Sequence, residues 1–330
     1  MLLEARSLRR VRTFPVGGTA ALSPAADEAA FGHADGTVTL LDLHSGRTRA
    51  LSGQSSASIE ALSFSRSGRM LASGAADGSI GVWGVRPGAL RKRFHGHSAS
   101  VRGVVFSPDG RTLYTIGYDG ALIAWDLSSA RRLEQGFRYK PGPGIAASAV
   151  SPDGSIFAVS PGPSQVTLWR SAGRRPMGSE LRGPVGRVYG VAFSADGRLV
   201  AAVGGDGQAV LWDTKSAKVV RILYTGIVTA AVAFSPDSQT VAIGVSGGGV
   251  ALYDLRKRTQ TPVYLLANGS VQDVDFSADG KLLASVSLNG VASIWDVASG
   301  RRVAALAGPV AAYAVRFSPD AKLLAVGGNS

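Results

Sequence analysis

Asp273 and Asp275 are the residues of this 330-residue sequence whose type and spacing most directly invite a chemical reading. Two apart on an extended segment, they present both carboxyls on one strand face. Paired acids can do acid–base work or hold a cation. No histidine or third carboxylate has matching spacing, and with Glu60 they are the only acids of their strand class that no turn explains. The four histidines are His33, His44, His95 and His97; His95-Gly-His97 without a further ligand is a weak metal signal. The chain has no cysteine, so thiolate sites, cysteine nucleophiles and disulfides are excluded. It also lacks a Gly-x-Ser-x-Gly elbow, a Walker loop and a dinucleotide fingerprint. The expectation is a non-enzyme with no metal and no cofactor.

Composition narrows the class further. Hydrophobic residues make up 45% and charged residues 18%, too apolar for a disordered chain. No apolar run approaches the 18 or so residues of a spanning helix, so no membrane insertion is expected. The start is short and basic, without the apolar stretch of a secretory signal, and the absence of cysteine suits a reducing compartment. A cytoplasmic protein is expected, and a monomer. The net charge is +12, and 26 of the 35 lysines and arginines fall in segments read below as outer strands and the turns leading into them. Even spacing of that charge favours protection of open sheet edges. The alternative is a footprint for nucleic acid or another polyanion on the basic outer rim and bottom face.

The elements that must position these residues follow from an internal repeat. Phe-Ser-Pro-Asp-Gly or a variant recurs with its serine at Ser23, Ser65, Ser107, Ser151, Ser194, Ser235, Ser277 and Ser318, in steps of 41 to 44 residues. Eighteen residues after the first seven serines stand Leu41, Trp83, Trp125, Trp169, Trp212, Tyr253 and Trp295, which accounts for all five tryptophans. Twelve residues after five of them comes Asp-Gly or Asn-Gly, at Asp35, Asp77, Asp119, Asp206 and Asn289. Each copy reads as four antiparallel strands, with hairpins at Pro-Asp-Gly and at Asp-Gly. Such a unit of about 42 residues matches a propeller blade, which buries its faces only by stacking on neighbours.

Trp125-Asp126, Trp212-Asp213 and Trp295-Asp296, with their preceding Asp-Gly or Asn-Gly turns, make the whole chain resemble the WD40-repeat β-propeller family. The resemblance implies a buried hydrogen-bond chain, complete in one copy as His97, Thr115, Asp119 and Trp125. Ser73, Asp77 and Trp83 match three of its positions, as do Ser285, Asn289 and Trp295; Gly183-Pro184 and Gly308-Pro309 replace Gly-His elsewhere. Strand counting gives an all-β, eight-bladed propeller in one domain, residues 1–330. Its last blade is shared between residues 1–15 and 308–330, so N-terminal strands pair with C-terminal ones. Enrichment in Ala, Gly and Arg with near-uniform repeats looks bacterial.

The resemblance also implies a scaffold or regulatory platform that binds protein partners through its top face. Candidate anchors are top-face residues that the repeat does not require. Glu60, Arg102, Tyr189, Gln272 and Tyr313 stand five residues before repeat serines, and Tyr118 lies beside an Asp-Gly turn. A longer interval after Trp125 adds Phe137, Arg138, Tyr139 and Lys140 as a loop with aromatic and basic residues interleaved.

Overall fold

The computed structural model describes residues 2–12, 19–25, 27–133, 137–138, 147–162, 164–170, 177, 181–184, 186–257, 262–267, 269–307 and 311–329. Among them there is no helix, and the strands form eight antiparallel sheets, the eight blades of a propeller. The local cause is visible in the first hairpin of each blade. Ser107 donates to Asp109 at 2.6 Å while its Oγ accepts the Thr112 amide at 2.9 Å, so one serine holds both arms of the turn. Ser151, Ser194, Ser235, Ser277 and Ser318 repeat the arrangement. Below, the top is the sheet edge bearing the Asp-Gly turns, and the bottom is the edge bearing these serine turns.

Residues 14–145 form one compact unit and residues 1–13 with 146–330 another. In the first unit, blade 1 comprises Thr19–Leu22, Glu28–Gly32, Val38–Asp42 and Thr48–Leu51. Blade 2 comprises Ile59–Phe64, Met70–Ala75, Ser79–Gly84 and Ala89–His95. Blade 3 runs through Val101–Phe106, Thr112–Gly117 and Ala121–Asp126 to an outer strand in two pieces. Arg131–Arg132 covers one end of Ala121–Asp126, and Phe137–Arg138 covers the other through Leu122 and Ala121. Phe137 and Arg138 are therefore strand, not the loop expected from the sequence. The edge groups of Ala121 and Leu122 need backbone partners, and this segment supplies them.

The second unit holds blades 4 to 7, whose inner strands are Ala147–Val150, Val188–Phe193, Thr229–Phe234 and Val271–Phe276, and the closing blade 8. Blade 8 has the order Arg10–Arg12, Leu2–Glu4, Leu323–Asn329, Ala311–Phe317. Leu2, Leu3 and Glu4 face Ala325, Leu324 and Leu323, so the two termini of the described chain share one sheet. Leu3, Ala5 and Leu8 are buried with Ala284 and Ile294 of blade 7 and with Val315, Leu324 and Val326 of blade 8. Fully burying a leucine of this kind stabilises by roughly 1.5–3 kcal/mol.

Outer-edge protection is less uniform than the charge pattern suggests. Val219, Val220, Val263, Tyr264, Leu266 and Val303, on the outer strands of blades 5 to 7, are all exposed.

Candidate interaction surface

The top face rests on polar chains that pin its turns. In blade 3, His97 Nε2 lies 2.8 Å from Thr115 Oγ1, and the Trp125 indole donates to the same oxygen at 2.8 Å. His97 Nδ1 lies 3.0 Å from Asp119, whose carboxylate also accepts the Ser98 and Ala121 amides. Gly117 makes this approach feasible: a Cβ there would stand 2.2 Å from His97 Nδ1. Burial lowers the His97 pKa despite Asp119, so the ring is neutral at pH 7 and acts through its tautomer. Burial also works against the Asp119 carboxylate, but the Ser98 amide, His97 and the Ala121 amide outweigh it and hold the group below its ordinary pKa.

Blade 2 completes its chain with a residue that sequence reasoning missed. Gln54 is fully buried and donates to the carbonyls of Ser73 and Ser79. Its Oε1 accepts the Ser73 hydroxyl, and Trp83 donates to Ser73 Oγ at 2.7 Å. Ser55 then takes the histidine's bond to the turn aspartate, reaching Asp77 at 2.6 Å. The signal was available: Gly53-Gln54 stands 43 residues before Gly96-His97. In blade 7, Trp295 donates to Ser285 at 3.0 Å and Ser287 reaches Asn289 at 2.6 Å. In blade 6, Tyr253 replaces the indole and donates to the Tyr224 carbonyl at 2.6 Å.

The candidate anchors fall in two groups. Within residues 14–145, three come together: Arg102 bonds Glu60 across two inner strands at 3.2 Å. The same guanidinium lies 5.9 Å from the ring centroid of Tyr118, a cation–π geometry. Within the other unit, Tyr189 stacks with Arg187 at 5.8 Å, Gln272 donates to the Ser270 hydroxyl, and Tyr313 is exposed. The side chains of Phe137 and Arg138, and Tyr139 and Lys140 altogether, lie outside the described residues.

Blades 5 to 7 add exposed apolar residues at the same edge. Tyr224, Ile227, Val228 and Leu288 are between 39% and 56% exposed, all in or beside top connections. Ile227 lies over Gly247 in the next blade's turn, where a Cβ would meet its Cδ1 at 2.5 Å. Sequence reasoning passed over these residues because an apolar residue near a strand end reads as core.

Asp273 and Asp275 are drawn into backbone bonding. Asp273 accepts from the Val315 amide at 2.9 Å and from Arg316 at 2.5 Å. Asp275 accepts from the Phe317 amide at 2.7 Å, and burial pushes its pKa up to about 6 against the pull of Arg316. Arg316 is itself raised, first by Asp273. Among the described residues no three metal-ligating side chains converge.

Four segments, residues 44–84, 88–126, 176–213 and 260–296, match the family model described as WD domain, G-beta repeat. The second segment begins at the outer strand of blade 2 and ends with the third strand of blade 3, a frame offset by one strand from the sheet. The chain is 32% identical over 142 residues to WD repeat-containing protein SL1-17 of Schistosoma mansoni, covering 42% of this chain and 46% of that protein. It is 28% identical over 166 residues to the guanine nucleotide-binding protein subunit beta of Saccharomyces cerevisiae, covering 38% and 39%. It is 30% identical over 138 residues to small ribosomal subunit protein RACK1 of Brassica napus, covering 36% and 42%. The chain thus spans less than half the length of the curated relatives it matches. These matches support the reading of the repeats as WD40.

Proposed function

We propose that this chain is a WD40-repeat propeller, with residues 1–330 as one domain, that works as a non-catalytic scaffold or regulatory platform binding protein partners through its top face. The observation that carries the reading is the exposed aromatic and apolar set at that face. Tyr189, Tyr224, Ile227, Leu288 and Tyr313 are held by rigid blades and belong to no polar chain through their side chains. Tyrosine combines large contact area with a polar handle, which is why it so often dominates interface energy. Of the similar proteins, one is by name a subunit of a guanine nucleotide-binding protein and another a protein of the small ribosomal subunit. A bacterial, cytoplasmic, monomeric protein remains part of this proposal, carried by composition and the lack of cysteine, although the matched relatives are eukaryotic.

The test is affinity capture from the source cell with the wild type and two variants, followed by mass spectrometry. Loss of a captured protein in Tyr189→Ala/Tyr224→Ala/Ile227→Ala, with retention in Arg256→Ala, supports the reading. The second reading, polyanion binding by the rim, rests on exposed cations such as Arg91 and Arg93 on the outer strand of blade 2. It takes over if the rim variant loses the partner and binding to random DNA falls steeply with salt.

A further inference from the structure

A cleft of about 370 Å³ opens at the bottom of blades 1 and 2, and the repeat itself shows what is unusual there. Two residues after the repeat serine, blades 3 to 8 carry an aspartate: Asp109, Asp153, Asp196, Asp237, Asp279 and Asp320. Where a cation follows two residues later, the pair can close, as in Arg198–Asp196 at 3.9 Å and Lys322–Asp320 at 3.5 Å. Blade 2 keeps the cation, Arg69, but has Ser67 in place of the acid. A second carboxylate is missing from the same corner. The residue after the tryptophan position is aspartate in blades 1, 3, 5, 6 and 7, and Gly84 in blade 2. The Arg91 side chain fills the vacant space, its Nε 2.5 Å from where a Cβ on residue 84 would stand.

Two guanidiniums therefore line the cleft: Arg69 without the turn aspartate of blades 3 to 8, and Arg91 in the space beside Gly84. Among the described residues no carboxylate forms an ion pair with Arg69 or Arg91. The third arginine of the lining, Arg86, is tied at 3.6 Å to Asp27 and to Glu28, and at 4.0 Å to Asp42. Glu28 is almost wholly buried. Its Oε1 faces Arg49 at 3.0 Å, its Oε2 has no hydrogen-bond partner, and burial raises its pKa against the pull of Arg49.

We propose that this cleft binds a phosphate monoester. Two unpaired guanidinium forks match the charge and the several acceptor oxygens of a phosphate dianion, which arginine holds in bidentate geometry. The volume lies within the range of small-ligand sites, on the order of 300–1,000 Å³, and exceeds what a bare ion fills. The phosphate therefore carries an organic body. The site is independent of the top-face reading.

Titration calorimetry of the whole chain with glycerol 3-phosphate and with the peptide Ala-Ala-phosphoserine-Ala-Ala tests the proposal. Saturable binding of either ester is expected, weakened about tenfold or more by Arg69→Ala and by Arg91→Ala, the loss of a charge-assisted bond. Tighter binding of the peptide identifies a phosphorylated protein as the source; equal or tighter binding of glycerol 3-phosphate identifies a free metabolite. Gly84→Asp is the decisive variant, because it restores the carboxylate other blades carry and displaces only a flexible side-chain tip. It should abolish binding with an unchanged melting temperature, while Arg256→Ala binds normally. Absence of saturable binding, indifference to Gly84→Asp, or equal binding of succinate overturns the proposal.

Discussion

The carboxylate of Asp275 accepts a hydrogen bond from the backbone amide of Phe317 at 2.7 Å, joining the inner strand of blade 7 to that of blade 8. Asp273 does the same for Val315, two residues away. Inner strands of neighbouring blades do not form a backbone ladder, so their facing amides need other partners. Here two side chains serve as rungs, and a pair whose spacing could suit acid–base work or a cation is engaged along a seam.

The seam titrates. Asp275 has its pKa raised from 3.8 to about 6 by burial, with Asp273 and Arg316 as the charged groups around it. Between about pH 4 and 6 the folded state keeps a proton that the unfolded chain has released. Stability from this group is therefore fully present below about pH 4 and declines as pH rises to about 6. Melting temperatures of the wild type and Asp275→Asn, compared across pH 4 to 7, should diverge through that window. A constant difference would show that Asp275 titrates normally.

The polar chains should carry unequal weight by position. His97→Ala and Gln54→Ala each strand buried partners and should cost about 1–3 kcal/mol in urea unfolding. His44→Ala, in an exposed turn, should cost under about 0.5 kcal/mol. Equal losses at all three positions would remove the special role of the buried chains.

Closure predicts an unusual sensitivity at the chain start. Leu3→Ala should destabilise by about 2–5 kcal/mol, as for a core leucine, although the residue is third in sequence. Deleting residues 2–12 should drive oligomerisation by baring the strand Leu323–Asn329. An unchanged unfolding midpoint for Leu3→Ala, or a deletion variant that elutes as a stable monomer, would contradict the shared sheet.

The Glu60–Arg102 pair should contribute little to the fold. Its side chains are 27% and 53% exposed, so a double-mutant cycle should give under about 1 kcal/mol of coupling. A larger value would make these residues structural and unsuitable as binding probes.

Most of the architecture was legible because the marks that define it are turns. Ser107 and Asp109 close a hairpin through their own side chains, so spacing alone reports where the strands reverse. Closure was legible because Leu2-Leu3-Glu4 occupies a strand position that the C-terminal segment lacks. Gln54 was missed because it reaches the same site as His97 from a shifted position, with Ser55 taking over part of the task. The strand at Phe137–Arg138 was missed because glycine and proline follow closely and suggest a loop. Tyr224, Ile227 and Leu288 were missed because periodicity reports a residue's apolar character, whereas exposure depends on what the neighbouring blade places over it.

Sharing blade 8 between the two ends of the described chain has a consequence for synthesis. Leu324, which pairs opposite Leu3, leaves the ribosome about 320 residues after it. At roughly 5–20 residues per second that interval is on the order of tens of seconds. Throughout it, Leu2-Leu3 can pair only with Arg10–Arg12, and its other edge has no strand to join. The nascent chain must keep that segment unaggregated until its partner emerges, so the final closing step is a race between intramolecular capture and sticking to a neighbouring polypeptide.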